Sequence, residues 1–554
     1  MKIKTHQLLA AIVAFLLIAQ TLGMAAADTS APAPDQSAPM IAMGPAPAPP
    51  KIHPPLVVGV HPLTPLLWTV PVSGLRPLSF SAKGLPRGLA LNKTTGTITG
   101  KIRKTGDYAV HITVKNSAGG DDQVIHIVAG DKVALTPPMG WNSYDGFGDD
   151  VTEAEVLANA RYVAQNMQPY GWNTVVVDFR WYDPGTPTQP NQPWNRPGVL
   201  LTMDQWGRLL PAPDKFPSAA SGKGFKALAD QIHAMGLQFG IHIMRGIPRN
   251  AVKANLSIEG ANFHAADAAD TTSTCSWNPD MYGVKGATPA GQAYYDSLFR
   301  LYASWGVDFV KVDDISRPYH TDEIDAIRKA IDKCRRSITL SLSPGATPLD
   351  QASHVEAHAN MWREADDFWD DWRALDHEFS LGVSWSNSVG PGHWPDADML
   401  PVGHVSIRNR SVGPDRQTHF TQNEQVTLLT LWALLPSPLM VGANLPDNDP
   451  WTLALLTNPE VFAVDQDSLG AASQTGDLEV WSRSLAGGDL AVGLFNRGRA
   501  ASAVTARWSD LGINTPQNIR DLWAHKDLGV FTDQYQADIP GHGALFLRLT
   551  PAKK

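Results

Sequence analysis

The segment Asp308-Phe-Val-Lys-Val-Asp-Asp314 has the pattern of a buried strand that ends in acidic residues. Apolar runs of this kind recur on both sides of it, with amphipathic helical patterns between them. We count eight runs across about 330 residues, at 139–144, 174–178, 239–244, 309–313, 338–343, 360–363, a stretch reaching 398–400, and 439–442. The helical patterns lie at 153–167, 223–235, 291–304, 321–334 and 424–434. This alternation predicts an α/β fold, a closed parallel (β/α)8 or TIM barrel. An open doubly wound sheet is the alternative, but no Gly-x-Gly-x-x-Gly turn follows the first run.

Short strands of alternating polar and apolar residues flank this block on both sides. Residues 57–131 contain several of them, separated by glycine and proline turns, which predicts a small antiparallel β-sandwich. The pattern returns at 468–554 and predicts a second antiparallel β-sandwich. Neither segment has a cluster of acidic or histidine residues. We therefore expect the chemistry to lie in the barrel, residues 132–467.

The N-terminus has the features of an export signal. Lys2 and Lys4 precede an apolar stretch at 8–22, and Ala25-Ala-Ala27 offers small residues for cleavage. The sequence therefore predicts a signal peptide at 1–27, cleaved near Ala27, and a periplasmic or extracellular protein. Residues 28–56, rich in proline and alanine, are expected to be an extended linker. No later segment has the ~20 apolar residues of a membrane span, so we expect no stable membrane insertion.

The composition excludes several classes of function. A net charge of -9 without basic clusters gives no reason to expect a nucleic-acid partner. Two cysteines, Cys275 and Cys334, cannot form a disulfide framework, and no spacing resembles a zinc motif. His354 and His358 are four residues apart, but no third ligand is near them in the sequence, and a surface helix face is the interpretation we favour. We expect no metal and no cofactor. The sequence gives no signal of oligomeric state.

Two acidic segments are candidates for the chemistry. Lys311 and Asp313 point the same way at the end of the fourth strand, and the ammonium would keep the carboxylate ionised. Asp367 follows the sixth strand, where its aromatic neighbours would desolvate the carboxyl group and raise its pKa. Two carboxyl groups at the C-terminal ends of barrel strands are the usual means of cleaving a glycosidic bond. A structural ion pair for Asp313 and a helix cap for Asp367 are the alternatives.

Five motifs, in chain order, resemble glycoside hydrolase family 27, the melibiase family. They are Thr136-Pro-Pro-Met-Gly-Trp-Asn-Ser143, Lys311-Val-Asp313, Trp362-Arg363 with Asp367, His393-Trp-Pro-Asp-Ala-Asp-Met-Leu400, and Asn458-Pro-Glu-Val-Phe-Ala-Val-Asp-Gln-Asp467. The resemblance runs from about residue 135 to 550, and includes the C-terminal sandwich. Residues 57–131 resemble an Ig-like module attached to some bacterial members.

The resemblance implies retaining hydrolysis of terminal alpha-D-galactosyl or related residues on an oligo- or polysaccharide. Asp313 matches the family nucleophile and Asp367 the acid/base. Other residues fall on sugar-contacting positions: Asp178, Lys311, Arg363, Asp398, Trp141 and Trp181. A core role is the alternative for the two tryptophans.

The sequence departs from the family pattern around the sugar. Tyr144, His242 and Ser343 stand where the family commonly has a tryptophan, a tyrosine and a Cys-Glu-Trp segment. Phe179 replaces the second of two adjacent aspartates. It would fill the space of the sugar's hydroxymethyl group and favour a pentose such as beta-L-arabinopyranose.

Two other classes of protein remain as alternatives. A sugar-binding protein without catalysis would explain the altered positions, but both carboxylates are present. A magnesium-dependent barrel enzyme would need carboxylate ligands on consecutive strands, and the fifth strand ends in Ser343-Pro-Gly345.

Overall fold

The computed structural model describes residues 39–44, 46–185, 200–408 and 413–552. The predicted signal peptide and residues 28–38 and 45 of the predicted linker lie outside these ranges, whereas Lys51–Ile52 of the predicted linker forms a short strand of the N-terminal module. Within them, every helix is too short or too polar to cross a lipid bilayer.

Eight parallel strands form the central sheet. They are Met139–Asn142, Thr174–Val177, Gln238–Met244, Phe309–Asp313, Thr339–Leu342, Met361–Arg363, Trp394–Asp396 and Leu439–Val441. Neighbours in the sheet follow chain order, and the eighth strand pairs with the first. Beyond the seventh strand, the amide of Leu400 donates to the carbonyl of Met440 at 2.8 Å, which brings the two sides of the curled sheet together. The predicted TIM-type architecture is confirmed.

The strands are apolar throughout because both of their faces are covered. Val175, Val176 and Val177 are all fully buried, some against the barrel interior and some against the surrounding helices. The seventh strand is shorter than predicted, since it ends at Asp396 instead of continuing to 398–400. Asp398 has a left-handed backbone (φ 81°), and its amide donates to the Asp396 carboxylate, so the chain turns away from the sheet there.

The helices surround the sheet. The longer ones are Glu153–Tyr162, Lys226–Ala234, Pro289–Trp305, Thr321–Lys333, Trp372–Trp385 and Gln422–Leu434. Shorter ones are Tyr144–Phe147, Arg249–Lys253, Ala265–Ala268, Ala352–His358, Pro450–Leu455 and Pro459–Asp465. Helix Thr321–Lys333 buries Ile324, Ile327 and Ile331, spaced three and four residues apart, because these face the barrel. Asp325 is left on its outer side, partly exposed.

Shorter elements complete the barrel. The predicted helix 153–167 becomes α-helical only to Tyr162 and continues as a π-helical segment, Val163–Met167. The 3-10 turns are Gln168–Tyr170, Pro217–Ser221, Leu349–Gln351, Ser386–Ser388 and Leu445–Asp447. Ile247–Pro248, Met281–Val284 and Ala269–Thr274 form a small sheet after the third strand, and His404–Val405 pairs with Arg416–Gln417.

The N-terminal module is a sandwich of two sheets. One contains Val57–Val60, Gly119–Ala129, Gly106–Asn116 and Ser79–Lys83, and the other contains Leu66–Thr69, Thr97–Gly100 and Leu89–Leu91, with a short pair Lys51–Ile52 and Val72–Ser73 beside them. The prediction of a purely antiparallel sandwich is wrong in one place, because Val57–Val60 pairs in parallel with Gly119–Ala129. Trp68 and Ile98 of one sheet pack with residues of the other in a common core.

This module lies against the N-terminal ends of the barrel strands. Thr69 Oγ1 donates to the carbonyl of Gly236, just before the third strand, and the amide of His61 donates to Ser337 Oγ, just before the fifth. The opposite face of the barrel, where the strands end, is therefore left uncovered by it.

The C-terminal module is an antiparallel sandwich. Its larger sheet contains Gln474–Thr475, Val480–Ser484, Leu490–Phe495, Ala544–Pro551, Gln517–Asp521 and Lys526–Phe531, and its smaller one pairs Ser502–Arg507 with Gln534–Ile539. Val492, Leu547 and Trp508 are among its buried core residues. The predicted second sandwich is confirmed.

Candidate active site

Asp313 ends the fourth strand, and both of its carboxylate oxygens are held. Oδ2 lies 2.8 Å from His242 Nε2, on the neighbouring strand, and Oδ1 accepts the amide of Asp314 at 2.6 Å. Because a carboxylate only accepts, His242 Nε2 carries the hydrogen. Asp314 has a left-handed backbone (φ 58°), so the chain leaves the strand in a sharp turn. Asp313 is 8% exposed, which leaves a narrow approach to a carboxylate of fixed orientation.

Lys311 makes its ion pair with Asp178, at the end of the second strand. Nζ lies 3.1 Å from Asp178 Oδ2, which also accepts Asn142 Nδ2 at 2.6 Å. Burial raises the pKa of Asp178, but Lys311, His242 and the hydrogen bonds outweigh it and lower the pKa to about 2. Burial lowers the pKa of Lys311, and the charges of Asp178, Asp398 and Asp313 raise it above its ordinary value. Lys311 therefore acts on Asp313 only through its charge at a distance, and the direct hydrogen-bond partner of the Asp313 side chain is His242.

A second ion pair joins the sixth and seventh strands. Arg363 Nη2 lies 2.8 Å from Asp398 Oδ2, which also accepts the amide of Phe368. Nη1 of the same arginine lies 3.3 Å from Asp367 Oδ1. Burial raises the pKa of Asp398, and the Arg363 guanidinium opposes this. Arg363 is buried, whereas the Asp367 side chain is 58% exposed. The arrangement presents Asp367 at the rim, above a buried arginine.

The aromatic neighbours of Asp367 do not desolvate it, contrary to the prediction. Trp362 is fully buried against Trp385 and His393, and Phe368 packs on Phe420 and Trp432. Trp362 packs on the helix that follows the sixth strand and Phe368 on helix Gln422–Leu434, while the Asp367 side chain stays 58% exposed. Asp371, in contrast, caps helix Trp372–Trp385 by accepting the amide of Arg373 at 2.9 Å, as expected for an acid in this segment.

Trp141 and Trp181 are core residues, so the prediction that they contact sugar needs correction. Both are fully buried. Trp141 Nε1 donates to the carbonyl of Ala443 and Trp181 Nε1 to the carbonyl of His242. Trp141 lies on the first strand, and both faces of a barrel strand are covered. Its position along the strand therefore does not show whether it faces a pocket or the core. The role of Trp181 is to hold the strand that carries His242.

Other aromatic rings lie beside the charged residues. The half-buried Tyr144 has its ring 5.9 Å from Lys311 Nζ and 6.5 Å from the ring of Trp369. Phe179 meets His242 edge to face at 5.4 Å and lies 5.8 Å from the ring of Trp277. Trp277 could not be predicted from the sequence, because it comes from the segment after the third barrel strand and follows no barrel strand end. These rings can supply the apolar surface that a sugar's C–H face requires.

Ser343 lies at the end of the fifth strand and is buried. Its amide donates to the carbonyl of Val312, while its Oγ has no hydrogen-bond partner among the residues that the structure describes. A buried hydroxyl of this kind gains stability when a ligand supplies the missing bond.

Comparisons with known proteins identify the family. Family models match for alpha galactosidase A at residues 280–467, for the alpha galactosidase C-terminal beta sandwich domain at 475–549, and for an Ig domain at 49–129. The alpha-galactosidase of Coffea arabica is 30% identical over 444 residues, which cover 78% of this chain and 99% of that protein. Alpha-galactosidase 2 of Arabidopsis thaliana is 29% identical over 430 residues, which cover 76% of this chain and 91% of that protein. The structure of a GH27 β-L-arabinopyranosidase from Geobacillus stearothermophilus is 52% identical, with a TM-score of 0.73, and the match covers 76% of this chain and 97% of that one.

The chain belongs to glycoside hydrolase family 27. It is a glycoside hydrolase, as its carboxylates suggested, and the relatives do not favour a sugar-binding protein without catalysis. The glycosidase aligns with nearly the full length of these relatives, and it also has an N-terminal Ig-like module.

The glycosidase also has a group of buried carboxyl groups beneath the site, which the sequence did not reveal. Burial raises the pKa of Glu364 to about 8, with a further contribution from Asp396, and raises that of Asp396 to about 7, with a further contribution from Asp398. Burial, with the charge of Glu364, also raises the pKa of Glu378 well above its ordinary value. Glu378 comes from the helix after the sixth strand, so no local pattern links it to the others.

These pKa shifts predict that the glycosidase loses stability between pH 5 and 8. A carboxyl group whose pKa is raised by folding contributes to the free energy of unfolding. This contribution is complete below about pH 4 and is lost as the pH rises through the folded-state pKa values of about 7 and 8. The loss is on the order of 1 kcal/mol per pH unit for each group. Thermal unfolding at pH 5, 6, 7 and 8 measures it. Glu364→Gln should give a shallower decline, and the exposed Glu479→Gln should keep the wild-type slope; equal slopes in all three proteins would contradict the assignment.

Proposed function

We propose that the protein is an exported retaining exo-glycosidase that releases terminal β-L-arabinopyranosyl residues from oligo- or polysaccharides, with α-D-galactosides as slower substrates. The main observation in favour of this sugar is the apolar ring of Phe179, which lies beside His242 and Trp277. Export rests on the predicted signal peptide, which places the enzyme in the periplasm or the medium.

Phe179 contacts both Asp178 and the histidine that holds Asp313. Its amide donates to Asp178 Oδ1 at 2.8 Å, and its ring packs on His242, the partner of Asp313. β-L-Arabinopyranose has the ring hydroxyl arrangement of α-D-galactopyranose but lacks the hydroxymethyl group. A hydroxyl buried against an apolar ring without a partner costs about 1–3 kcal/mol. The pentose avoids that cost, which supports it as the preferred sugar.

The identity values agree with this choice. The β-L-arabinopyranosidase structure is 52% identical to the chain, while the α-galactosidases from Coffea arabica and Arabidopsis thaliana are 30% and 29% identical. These relatives support the sugar class, and Phe179 supplies a physical reason for it.

The proposed mechanism is a double displacement. The Asp313 carboxylate attacks the anomeric carbon while Asp367 donates a proton to the leaving oxygen, which gives a glycosyl ester and a free alcohol. Asp367 then takes a proton from water, the water attacks the anomeric carbon, and the ester to Asp313 breaks. The hydrogen bonds from His242 and from the Asp314 amide support Asp313 in this role because they fix the orientation of the carboxylate. The exposure of Asp367 supports the other role, since a leaving group must reach it from solvent.

The remaining charged residues would bind the sugar hydroxyl groups. Asp178 and Lys311 form one ionic pair and Asp398 and Arg363 another, and charged groups of this kind make strong hydrogen bonds. Ser343 Oγ is a further candidate, because a sugar hydroxyl would satisfy it.

Phe179→Asp tests the choice of sugar. A carboxylate at this position can accept a hydrogen bond from the 6-hydroxyl of a galactoside, so the ratio of kcat/KM for p-nitrophenyl α-D-galactopyranoside to that for the β-L-arabinopyranoside should rise by about 10-fold to 100-fold. Initial rates on both substrates measure it.

Phe179→Leu is the matched control, because it removes the ring without adding an acceptor. It should leave the preference for the pentose in place. If the wild type hydrolyses the galactoside as fast as the arabinopyranoside, the proposed sugar is wrong, whatever the variants do.

A further inference from the structure

Asp325, His354 and His358 form a cluster on the outside of the barrel. Asp325 lies on helix Thr321–Lys333 and the two histidines on helix Ala352–His358, which follow the fourth and fifth strands. Asp325 Oδ1 is 3.0 Å from His354 Nε2 and 3.2 Å from His358 Nε2. Within the part of the chain that the structure describes, this is the one group of three such side chains whose ligand atoms all lie within 4.8 Å of one another.

The hydrogen bonds around the two rings leave an electrostatic conflict at the centre of the cluster. His358 Nδ1 lies 2.7 Å from the carbonyl oxygen of His354, so it must donate. In the neutral ring, Nε2 then directs a lone pair at the carboxylate oxygen of Asp325. The two rings are stacked at 4.2 Å with an angle of 16°, so both Nε2 atoms face the same carboxylate oxygen. A metal ion between the three ligand atoms removes the conflict.

The spacing of the three ligand atoms is compatible with one metal ion between them. Tetrahedral Zn²⁺ with bonds of about 2.05 Å places its ligand atoms about 3.3 Å apart. The two measured separations are 3.0 and 3.2 Å. Lys329 approaches the other oxygen of Asp325, with Nζ 3.7 Å from Oδ2, which leaves Oδ1 for an ion.

Outer partners hold both rings in the orientation that a metal requires. Tyr319 Oη lies 2.7 Å from His354 Nδ1, and the His354 carbonyl holds Nδ1 of His358. Metal-binding histidines usually have their second nitrogen fixed in this way. Two imidazoles and one carboxylate suit Zn²⁺ and its neighbours Ni²⁺ and Cu²⁺ better than Mg²⁺ or Ca²⁺.

We propose that Asp325, His354 and His358 bind one Zn²⁺ ion, or a chemically similar divalent ion, with water completing the coordination. Asp325 is the third ligand that the sequence analysis did not find, because it lies 29 residues before His354 and only the packing of the two helices brings it close. The ion joins the helices that follow the strands of Asp313 and Ser343. Its role is to stabilise the fold, since the three ligands take no part in the proposed hydrolysis.

Titration of the full mature protein with ZnCl₂ tests the proposal. The protein is made without a histidine tag, stripped with EDTA and dialysed, and binding is followed by isothermal titration calorimetry. One equivalent should bind, and the thermal unfolding midpoint should rise with free Zn²⁺ as expected for a ligand of the folded state. Substituting Co²⁺ should give the visible absorption of a low-coordinate nitrogen and oxygen site.

Matched variants separate this site from others. Asp325→Asn and His358→Ala should each lose the bound equivalent and the zinc-dependent rise in the midpoint, while His377→Ala, at an exposed histidine on helix Trp372–Trp385, should keep both. Far-UV circular dichroism in EDTA checks that the variants are folded. Binding that is equal in wild type and variants, or absent from wild type, would overturn the proposal and leave an ion-pair cluster. Glycosidase activity should survive EDTA, and its loss would overturn the structural role.

Discussion

Asp313→Asn should lower kcat on aryl glycosides by at least about four orders of magnitude, because the amide cannot form the glycosyl ester. The side chain keeps its size and can still face His242, so the fold should be intact and the substrate should still bind. Initial rates on p-nitrophenyl β-L-arabinopyranoside and circular dichroism measure the two effects. This prediction depends on the proposed nucleophile and not on which sugar is preferred.

Asp314→Asn is the matched control for this position. Asp314 is the next carboxylate in the chain, but it pairs with Arg245 at 3.1 Å, away from His242. Activity should stay within about tenfold of wild type. A further check uses Asp313→Ala with sodium azide, in which azide takes the place of the missing nucleophile and the product is a glycosyl azide of inverted configuration. Normal turnover by Asp313→Asn would show that the assignment of roles is wrong.

The candidate residues that the sequence pattern alone could indicate are those at strand ends. Lys311 and Asp313 are two apart on one strand and so face the same way, and the end of a parallel strand is where a barrel positions its chemistry. The family resemblance added Asp178 and Arg363, and the structure brings all four residues into the two ion pairs and the His242 contact described above.

The features that the sequence could not predict depend on contacts between distant segments. Trp277 enters from a loop excursion, and Glu378 reaches the buried carboxyl groups from a helix. For Trp141 and Trp181 the resemblance predicted contact with the sugar, whereas both side chains are buried in the core. A pattern of spacing describes which face a residue is on, but in a barrel it does not say whether that face is open to a ligand.

Asp367→Ala should make the rate strongly dependent on the leaving group. Without a proton donor, glycosides with poor leaving groups should lose about 10²-fold to 10⁴-fold in kcat/KM, whereas 2,4-dinitrophenyl glycosides, which need no protonation, should lose far less in the first step. The plot of log kcat/KM against leaving-group pKa should therefore be steeper than in wild type.

Asp366→Ala separates this effect from a general change at the rim. Asp366 is the adjacent residue and is similarly exposed, at 67% against 58% for Asp367, but it pairs with Arg317 at 2.6 Å instead of Arg363. Removing an exposed ion pair costs little stability, and no proton donor is lost, so the slope of the leaving-group plot should match wild type. If Asp366→Ala steepens the slope and Asp367→Ala does not, the proton donor is Asp366. If neither does, the acid comes from another strand end, and the buried Arg363 holds Asp367 for a structural reason.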